Sequence, residues 1–180
     1  LGAEFPEVVS LVVHDATGAL ALSSVARPAS LSVASYPLFA TARGLARHEL
    51  GLSEVVTSQV TGKPNVFAYQ PILSAAGDFR GVVMMPIDLD YFRRLFADLD
   101  VGQRGLVNIR RAEDSRLVVR WPEAPGTANQ EARTSSSFTR IASGDVRGVA
   151  RLRSGVDDIE RFIAFERVKE ERVRHAAVQI

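Results

Sequence analysis

The sequence contains no cysteine among its 180 residues. This absence excludes disulfide bonds, cysteine-ligated zinc and thiol catalysis, and it suits either the cytoplasm or a periplasmic domain without bridges. No apolar run approaches the roughly 18 residues that a membrane-spanning helix needs. The segment that follows Leu1 also lacks the basic and then apolar pattern of a signal peptide. We therefore expect a folded piece of a longer protein whose native start lies upstream.

An excess of charge of one sign is also lacking. The 22 lysines and arginines nearly balance the 21 aspartates and glutamates, and the net charge is +1. The basic residues are spread along the chain, and a local pair such as Arg110–Arg111 does not form a nucleic-acid-binding stripe. A hydrophobic fraction of 46% indicates a globular chain, long enough for one large core or two small ones. We expect no nucleic-acid partner.

The motifs of common enzyme classes are missing as well. The chain has no Gly-x-Ser-x-Gly elbow, no phosphate-binding glycine-rich loop and no metalloprotease signature. Its three histidines, His14, His48 and His175, lack the close spacing of a metal site. We therefore predict a domain that is not an enzyme and that has no catalytic residues, no bound metal and no cofactor.

The most informative feature that is present is a hairpin that leads into a helix. Two apolar, strand-like stretches, Val66–Ser74 and Phe79–Ile87, flank the short turn Ala75–Asp78. A helix is predicted from Asp88 to Leu99, because a carboxylate suits its positive N-terminal end and apolar residues recur on one face. That predicted apolar stripe consists of Leu89, Phe92, Leu95, Phe96 and Leu99.

The rest of the chain reads as strands with little helix, and the order of elements occurs twice. This repetition predicts an α+β fold of two stacked lobes, residues 1–101 and a smaller second lobe of residues 102–180. The elements predicted in the first lobe are a strand over Val8–His14, a turn over Asp15–Gly18, a strand over Ala19–Ser24, a loop over 25–34, a helix from Ser35 to Arg47 capped by Ser35, and a strand over Val55–Val60. Those predicted in the second lobe are strands over Gly105–Arg110, Arg116–Trp121, Val146–Leu152, Ile159–Val168 and Arg172–Ile180, and a helical turn over Phe138–Ser143, with turns at Ser154–Asp157 and Lys169–Glu171.

Several segments in this order resemble a known family. They are Asp15-Ala-Thr-Gly-Ala-Leu20, Thr61-Gly-Lys-Pro64, Ala76-Gly-Asp-Phe-Arg-Gly-Val-Val83 and Ile87-Asp-Leu-Asp-Tyr-Phe92. The chain resembles the extracytoplasmic double Cache (PAS-like) sensor domains of bacterial membrane receptors. In these receptors the sensor domain precedes a diguanylate cyclase or a histidine kinase. The resemblance implies a periplasmic location, a small-molecule ligand, flanking helices that reach the membrane, and a homodimer in the full-length receptor.

The resemblance also implies where the ligand binds. In the first, membrane-distal lobe the pocket lies between the sheet and the helical connection that faces it. The residues able to line it are Tyr36, Phe39, Arg43, Phe67, Tyr69 and Asp88. Three alternatives stay open: the aromatic residues are ordinary core, Asp88 is a helix cap, and Arg43 is a solvated charge rather than a partner for a carboxylate.

The chain departs from the family at the strand that is expected to contact a ligand. Tyr69–Ile72 stands where relatives carry polar residues, and the Arg-x-Trp-Tyr group of the amino-acid-binding branch has no match. Amino-acid recognition is therefore not supported, and the ligand is not identified. The alternative to a sensor is a degenerate Cache module that serves as a spacer, dimerisation or protein-docking domain without a small-molecule ligand.

Overall fold

The computed structural model describes residues 5–26, 31–58, 60–132, 136–153, 158–170 and 173–179. The chain divides into two compact units, Leu1–Leu89 and Asp90–Ile180. The predicted turn at Ser154–Asp157 and the end of the predicted turn at Lys169–Glu171 lie outside the described residues. Assignment of residues 1–101 to a membrane-distal lobe and of residues 102–180 to a membrane-proximal one stays a prediction.

The first unit is built on an antiparallel sheet of six strands. The strands are β1 (Val12–Asp15), β2 (Leu20–Ser23), β3 (Gly51–Leu52), β4 (Val56–Thr57), β5 (Pro64–Leu73) and β6 (Phe79–Asp88). Their order in the sheet is β2-β1-β6-β5-β3, and β4 also pairs with β5. The long strand predicted from Val8 is wrong at its start, because Val8 forms only an isolated bridge to Ile87.

The central hairpin of β5 and β6 confirms the strongest prediction from the sequence. Its register runs from the pair Asn65–Asp88 to the pair Leu73–Phe79. Gly77 has φ of 93°, which only glycine adopts readily, so the turn is specified locally. The hairpin forms where apolar residues and turn residues predicted it, because both signals are local in sequence.

The helix predicted over Ser35–Arg47 is much shorter in the structure. α1 spans Pro37–Ala42, with proline in its first turn as expected, but Ser35 does not cap it. The N-cap residue is Tyr36, which makes no side-chain capping bond. The amide of Gly44 bonds to the carbonyl of Thr41, three residues back, so the chain tightens into a turn and the helix ends there.

The second predicted helix is present, but fewer residues of its apolar stripe are buried than the stripe contains. α2 spans Leu89–Ala97, and Leu89 and Phe96 are buried. Leu95 and Leu99 are half exposed, so only part of the predicted apolar stripe is buried. Leu99 lies beyond the last helical residue, which explains why the helical spacing no longer places it on the stripe.

The elements of the second unit are β7 (Val107–Arg110), β8 (Leu117–Trp121), α3 (Ser136–Ala142), β9 (Arg147–Arg153), β10 (Glu160–Glu170) and β11 (Val173–Gln179). The strands form an antiparallel sheet in the order β8-β7-β11-β10-β9. All five predicted strands are present, and the ends of the first four differ from the prediction by one or two residues. Ile141 of α3 packs against Phe165 of β10 in a small buried cluster. The architecture is therefore α+β, mostly antiparallel sheet with few helices.

Candidate ligand-binding pocket

One face of the first sheet carries the residues from which a pocket can be built. Tyr69 pairs with Met84 across the central hairpin, and Phe67 pairs with Pro86. Val12 of β1 pairs with Met84 from the other side. Because side chains alternate along a strand and paired residues share a face, these five residues lie on one side of the sheet. The prediction that Phe67 and Tyr69 share a face is confirmed.

A cavity of about 30 Å³ lies on this face. Its sheet wall comes from β1, β5 and β6, and its facing wall comes from the irregular segment before α1 and the turn after β4. The lining residues are Val12, His14, Phe67, Met84 and Pro86 on the sheet, and Leu31, Val33, Tyr36, Ser58 and Val60 opposite them. A volume of this size holds one or two water molecules.

His14 is the most buried polar residue of this lining, with 1% of its surface exposed. Its Nδ1 atom lies 3.0 Å from the carbonyl oxygen of Gly18. Because a carbonyl oxygen only accepts hydrogen bonds, the geometry assigns a proton to Nδ1. The sequence analysis missed this residue, although its strand parity with Val12 was the signal that could have found it.

The carbonyl oxygen of Gly18 connects the predicted turn to the facing wall. Besides the bond from His14, it accepts one from the amide of Val33 at 2.9 Å and one from the hydroxyl of Ser32 at 3.1 Å. Gly18 has φ of 87°, and a Cβ atom added there would lie 2.7 Å from the backbone nitrogen of Ala34. Glycine is therefore required both by the turn and by the approach of the wall.

The turn itself is held by a carboxylate. Asp15 Oδ1 accepts hydrogen bonds from the hydroxyl of Thr17 at 2.6 Å, from the amide of Thr17 at 2.8 Å and from the amide of Ala19 at 3.1 Å. These bonds, led by the one from the Thr17 hydroxyl, lower the pKa of the Asp15 carboxyl. The motif from Asp15 to Gly18 thus has a structural role next to the pocket.

Two of the six predicted site residues, Tyr36 and Phe67, line the cavity. Their ring centroids are 6.5 Å apart and the rings are tilted by 53°. Burial raises the pKa of the Tyr36 phenol, so the hydroxyl stays protonated at neutral pH and can donate as well as accept a hydrogen bond.

Two other predicted residues belong to the hydrophobic core. Phe39 and Tyr69 are both 4% exposed and pack in one cluster with Val82 and Met84. The ring of Tyr69 covers Gly51, where an added Cβ atom would lie 2.4 Å from Cζ of the ring. Neither aromatic residue is among those that line the cavity.

Arg43 lies outside the cavity lining. Its guanidinium carbon is 5.0 Å from the ring centroid of Phe39 and 4.7 Å from that of Phe79. Its Nη2 atom donates to the carbonyl oxygen of Ala16 at 2.6 Å. The side chain therefore links α1 to the hairpin turn through cation–π contacts and a backbone hydrogen bond.

Asp88 is the last residue of β6 and pairs with Asn65. Its amide donates to the carbonyl oxygen of Glu7 at 2.8 Å, and it is not among the lining residues of the described cavity. Its role as a helix cap or a ligand contact stays a prediction.

The second unit contains an open groove of about 560 Å³. It is lined by the loop 100–106 and by the first residues of β7 and β10. β11 pairs with both strands as far as Gln179, opposite Asn108 and Phe165, and the groove lies beyond this point. Among the described residues, the groove is an open gap between the beginnings of β7 and β10 rather than an enclosed pocket.

Arg110 is the most buried charged residue among those of the second unit whose side chains the structure describes. Its Nη1 atom donates to the carbonyl oxygens of Ser115 at 2.7 Å and Gln130 at 3.1 Å. Burial, and next to it the charge of Arg120, lowers the pKa of Arg110 to about 10. The guanidinium stays charged at neutral pH, and its hydrogen bonds connect the loop at Ser115 with the loop at Gln130. Among the described residues, no group of three or more metal-binding side chains comes together.

No protein-family model matches the sequence, and no curated protein matches it either. Solved structures do match. The extracellular domain of rpHK1S-Z16, a protein described as a histidine kinase, is 21% identical with a TM-score of 0.82. That match covers 99% of this chain and 72% of the other. The chain has the fold of a Cache-type sensor domain.

Two further structures with this Cache-type fold are chemoreceptor domains. The ligand-binding domain of Pseudomonas fluorescens CtaA in complex with L-isoleucine is 16% identical, with a TM-score of 0.65 over 97% of this chain and 68% of that one. The ligand-binding domain of the Pseudomonas aeruginosa PAO1 amino-acid chemoreceptor PctC in complex with GABA is 16% identical, with a TM-score of 0.62 over 96% and 71%. Within the described residues, no helix is both long and apolar enough to span a membrane.

Proposed function

We propose that this chain is the extracytoplasmic sensing domain of a membrane-anchored bacterial signalling protein and that it binds a small molecule in its first unit. The observation that carries the proposal is the cavity beside Tyr36 and Phe67. Two further points support the proposal: the sequence resemblance predicts a pocket on the sheet face that carries Phe67, and the fold is shared with ligand-binding domains of chemoreceptors.

The cavity suggests how a ligand produces a signal. At about 30 Å³ it is closed to anything larger than water, so a ligand binds a form in which the facing wall has moved. The sheet wall is held by ladder hydrogen bonds on both sides, whereas Val33 and Val60 lie in irregular segments. The ligand shifts the population towards the open form by its differential affinity, and its apparent affinity falls with the fraction of molecules that are open.

The output domain and the assembly belong to the same proposal. A histidine kinase output is supported by the similarity to the extracellular domain of rpHK1S-Z16, and a diguanylate cyclase is the alternative implied by the sequence resemblance. Helices on both sides of the chain would reach the membrane, and the full-length receptor would be a homodimer in which the two copies change their arrangement together.

A second candidate function is a spacer or docking module without a ligand. The small volume of the cavity favours it, because pockets for drug-sized ligands usually measure several hundred Å³. The two functions differ in one measurable property: a sensor opens for some small molecule, and a spacer keeps the interior filled.

A thermal-shift screen separates the two functions. The panel contains amino acids, organic acids, amines, purines and short alcohols and amides. The variant Val60→Trp places a large side chain at a half-exposed lining residue of the cavity, and Leu22→Trp places the same side chain at an exposed residue outside it. If the chain is a sensor, at least one compound raises the Tm of the wild type and of Leu22→Trp but not that of Val60→Trp. No shift with any class would contradict the sensor function and support the spacer.

A further inference from the structure

We propose that the cavity of the first unit selects a compact, uncharged ligand with a branched apolar part and one hydrogen-bonding group, such as a short alcohol or primary amide, in preference to an amino acid. This inference rests on the proposed function, because it names the class of ligand that the same cavity would take.

The charge of the lining is the first argument. None of the ten described lining residues is an aspartate, glutamate, lysine or arginine. A zwitterion brings a carboxylate and an ammonium group, and each is costly to remove from water without an opposite charge beside it. The guanidinium of Arg43 cannot serve, because it stacks on Phe39 and Phe79 and bonds to Ala16 outside the cavity.

The polar groups of the lining are the second argument. They are the phenol of Tyr36, the imidazole of His14 and the hydroxyl of Ser58. Ser58 Oγ accepts hydrogen bonds from the amides of Val60 and Thr61, both at 3.2 Å, so its hydroxyl proton is what it can offer to a ligand. Such groups match a hydroxyl or a carboxamide, which donates and accepts hydrogen bonds without carrying a charge.

The shape of the lining is the third argument. The other seven lining residues are apolar, and Val12, Val33 and Met84 among them are almost fully buried. A branched alkyl group of four or five carbons buries apolar surface against such side chains. Because the closed cavity has about 30 Å³, a compact ligand demands the smallest movement of the facing wall and is favoured over a long one.

Five probes with the same branched alkyl group test the inference by isothermal titration calorimetry. Two are neutral, 3-methylbutan-1-ol and isovaleramide, and three are charged, isovalerate, isoamylamine and L-leucine. At least one neutral compound is expected to bind ten-fold or more tightly than each charged one, and to lose this binding in Val60→Trp but not in Leu22→Trp. L-Leucine, isovalerate or isoamylamine binding as tightly as the neutral compounds overturns the inference.

If neither neutral compound binds, the inference about the ligand class is also overturned. The proposed sensing function is contradicted only if no compound of the thermal-shift panel raises Tm either.

The variant Val60→Asp adds a carboxylate at a half-exposed lining residue. It is expected to raise the affinity for isoamylamine relative to 3-methylbutan-1-ol at least ten-fold. An unchanged ratio, in a variant whose unliganded Tm shows that it folds, contradicts the claim that missing charge decides the selectivity.

Discussion

The imidazole of His14 donates a hydrogen bond from Nδ1 to the carbonyl oxygen of Gly18 at 3.0 Å. This oxygen also accepts bonds from Val33 and Ser32, so one carbonyl group joins a buried strand residue, the hairpin turn and the facing wall of the cavity. The contact explains how a short turn motif, read from the sequence as local structure, becomes part of the candidate site.

Replacing His14 tests the strength of this connection. His14→Leu removes the donor and changes the packing of a residue that is 1% exposed. The free energy of unfolding is expected to fall by about 1–3 kcal/mol, which is typical of a lost buried hydrogen bond with imperfect repacking. Urea denaturation measures it. Arg80→Ala, at an exposed side chain paired only loosely with Asp78, is the control and should change stability by less than about 0.5 kcal/mol.

Two glycine substitutions separate backbone strain from steric contact. Gly18→Ala and Gly77→Ala both force alanine to φ near 90°, but only at Gly18 does the new Cβ meet backbone, at 2.7 Å from the nitrogen of Ala34. Both variants are expected to lose about 1 kcal/mol or more from strain, and Gly18→Ala is expected to lose more. Urea denaturation of the two compares them directly. Equal losses would show that the wall does not press on Gly18.

The Asp15 carboxyl predicts how stability depends on pH. Its pKa is lowered from the ordinary value of 3.8 by the bonds from Thr17 and Ala19, so its contribution is present above pH 3.8 and is lost as the pH falls through the folded-state pKa. Asp15→Asn keeps an oxygen that accepts these bonds and removes the titration. Unfolding between pH 2 and pH 6 is expected to show a steeper acid loss in the wild type than in this variant. Parallel curves would contradict the prediction.

Arg43 is expected to contribute to stability and not to ligand affinity. Arg43→Ala removes the contacts with Phe39 and Phe79 and the hydrogen bond to Ala16. The loss is expected to be about 0.5–1.5 kcal/mol, since the side chain is exposed. Calorimetry with any ligand found by the screen should give an affinity unchanged within about two-fold. A loss of binding with normal stability would instead assign Arg43 to the site.

Much of the fold follows from local sequence signals. The hairpin of β5 and β6 was predictable because alternating apolar residues and a turn around Gly77 act over a few residues. The helix after Ser35 was predicted too long, because apolar spacing continues past Gly44 although the chain has already tightened into a turn.

The candidate site was predictable only in part. Strand parity predicted that Phe67 and Tyr69 share a face, and Phe67 lines the cavity. His14 and Ser58 reach the cavity from segments far apart in sequence, so only the packed fold brings them together. Whether an aromatic residue such as Tyr69 belongs to the core or to a pocket depends on what covers it, here Gly51, and that partner is set by strand pairing.

The contact between Gly51 and Tyr69 has a consequence for sequence divergence. The phenol ring occupies the space that any side chain at residue 51 would need, because Cζ lies 2.4 Å from the position of an added Cβ. The two positions are therefore expected to change together: sequences that keep a large ring at 69 keep glycine at 51, and a larger residue at 51 is accompanied by a smaller one at 69. An alignment of homologous chains would reveal this covariation.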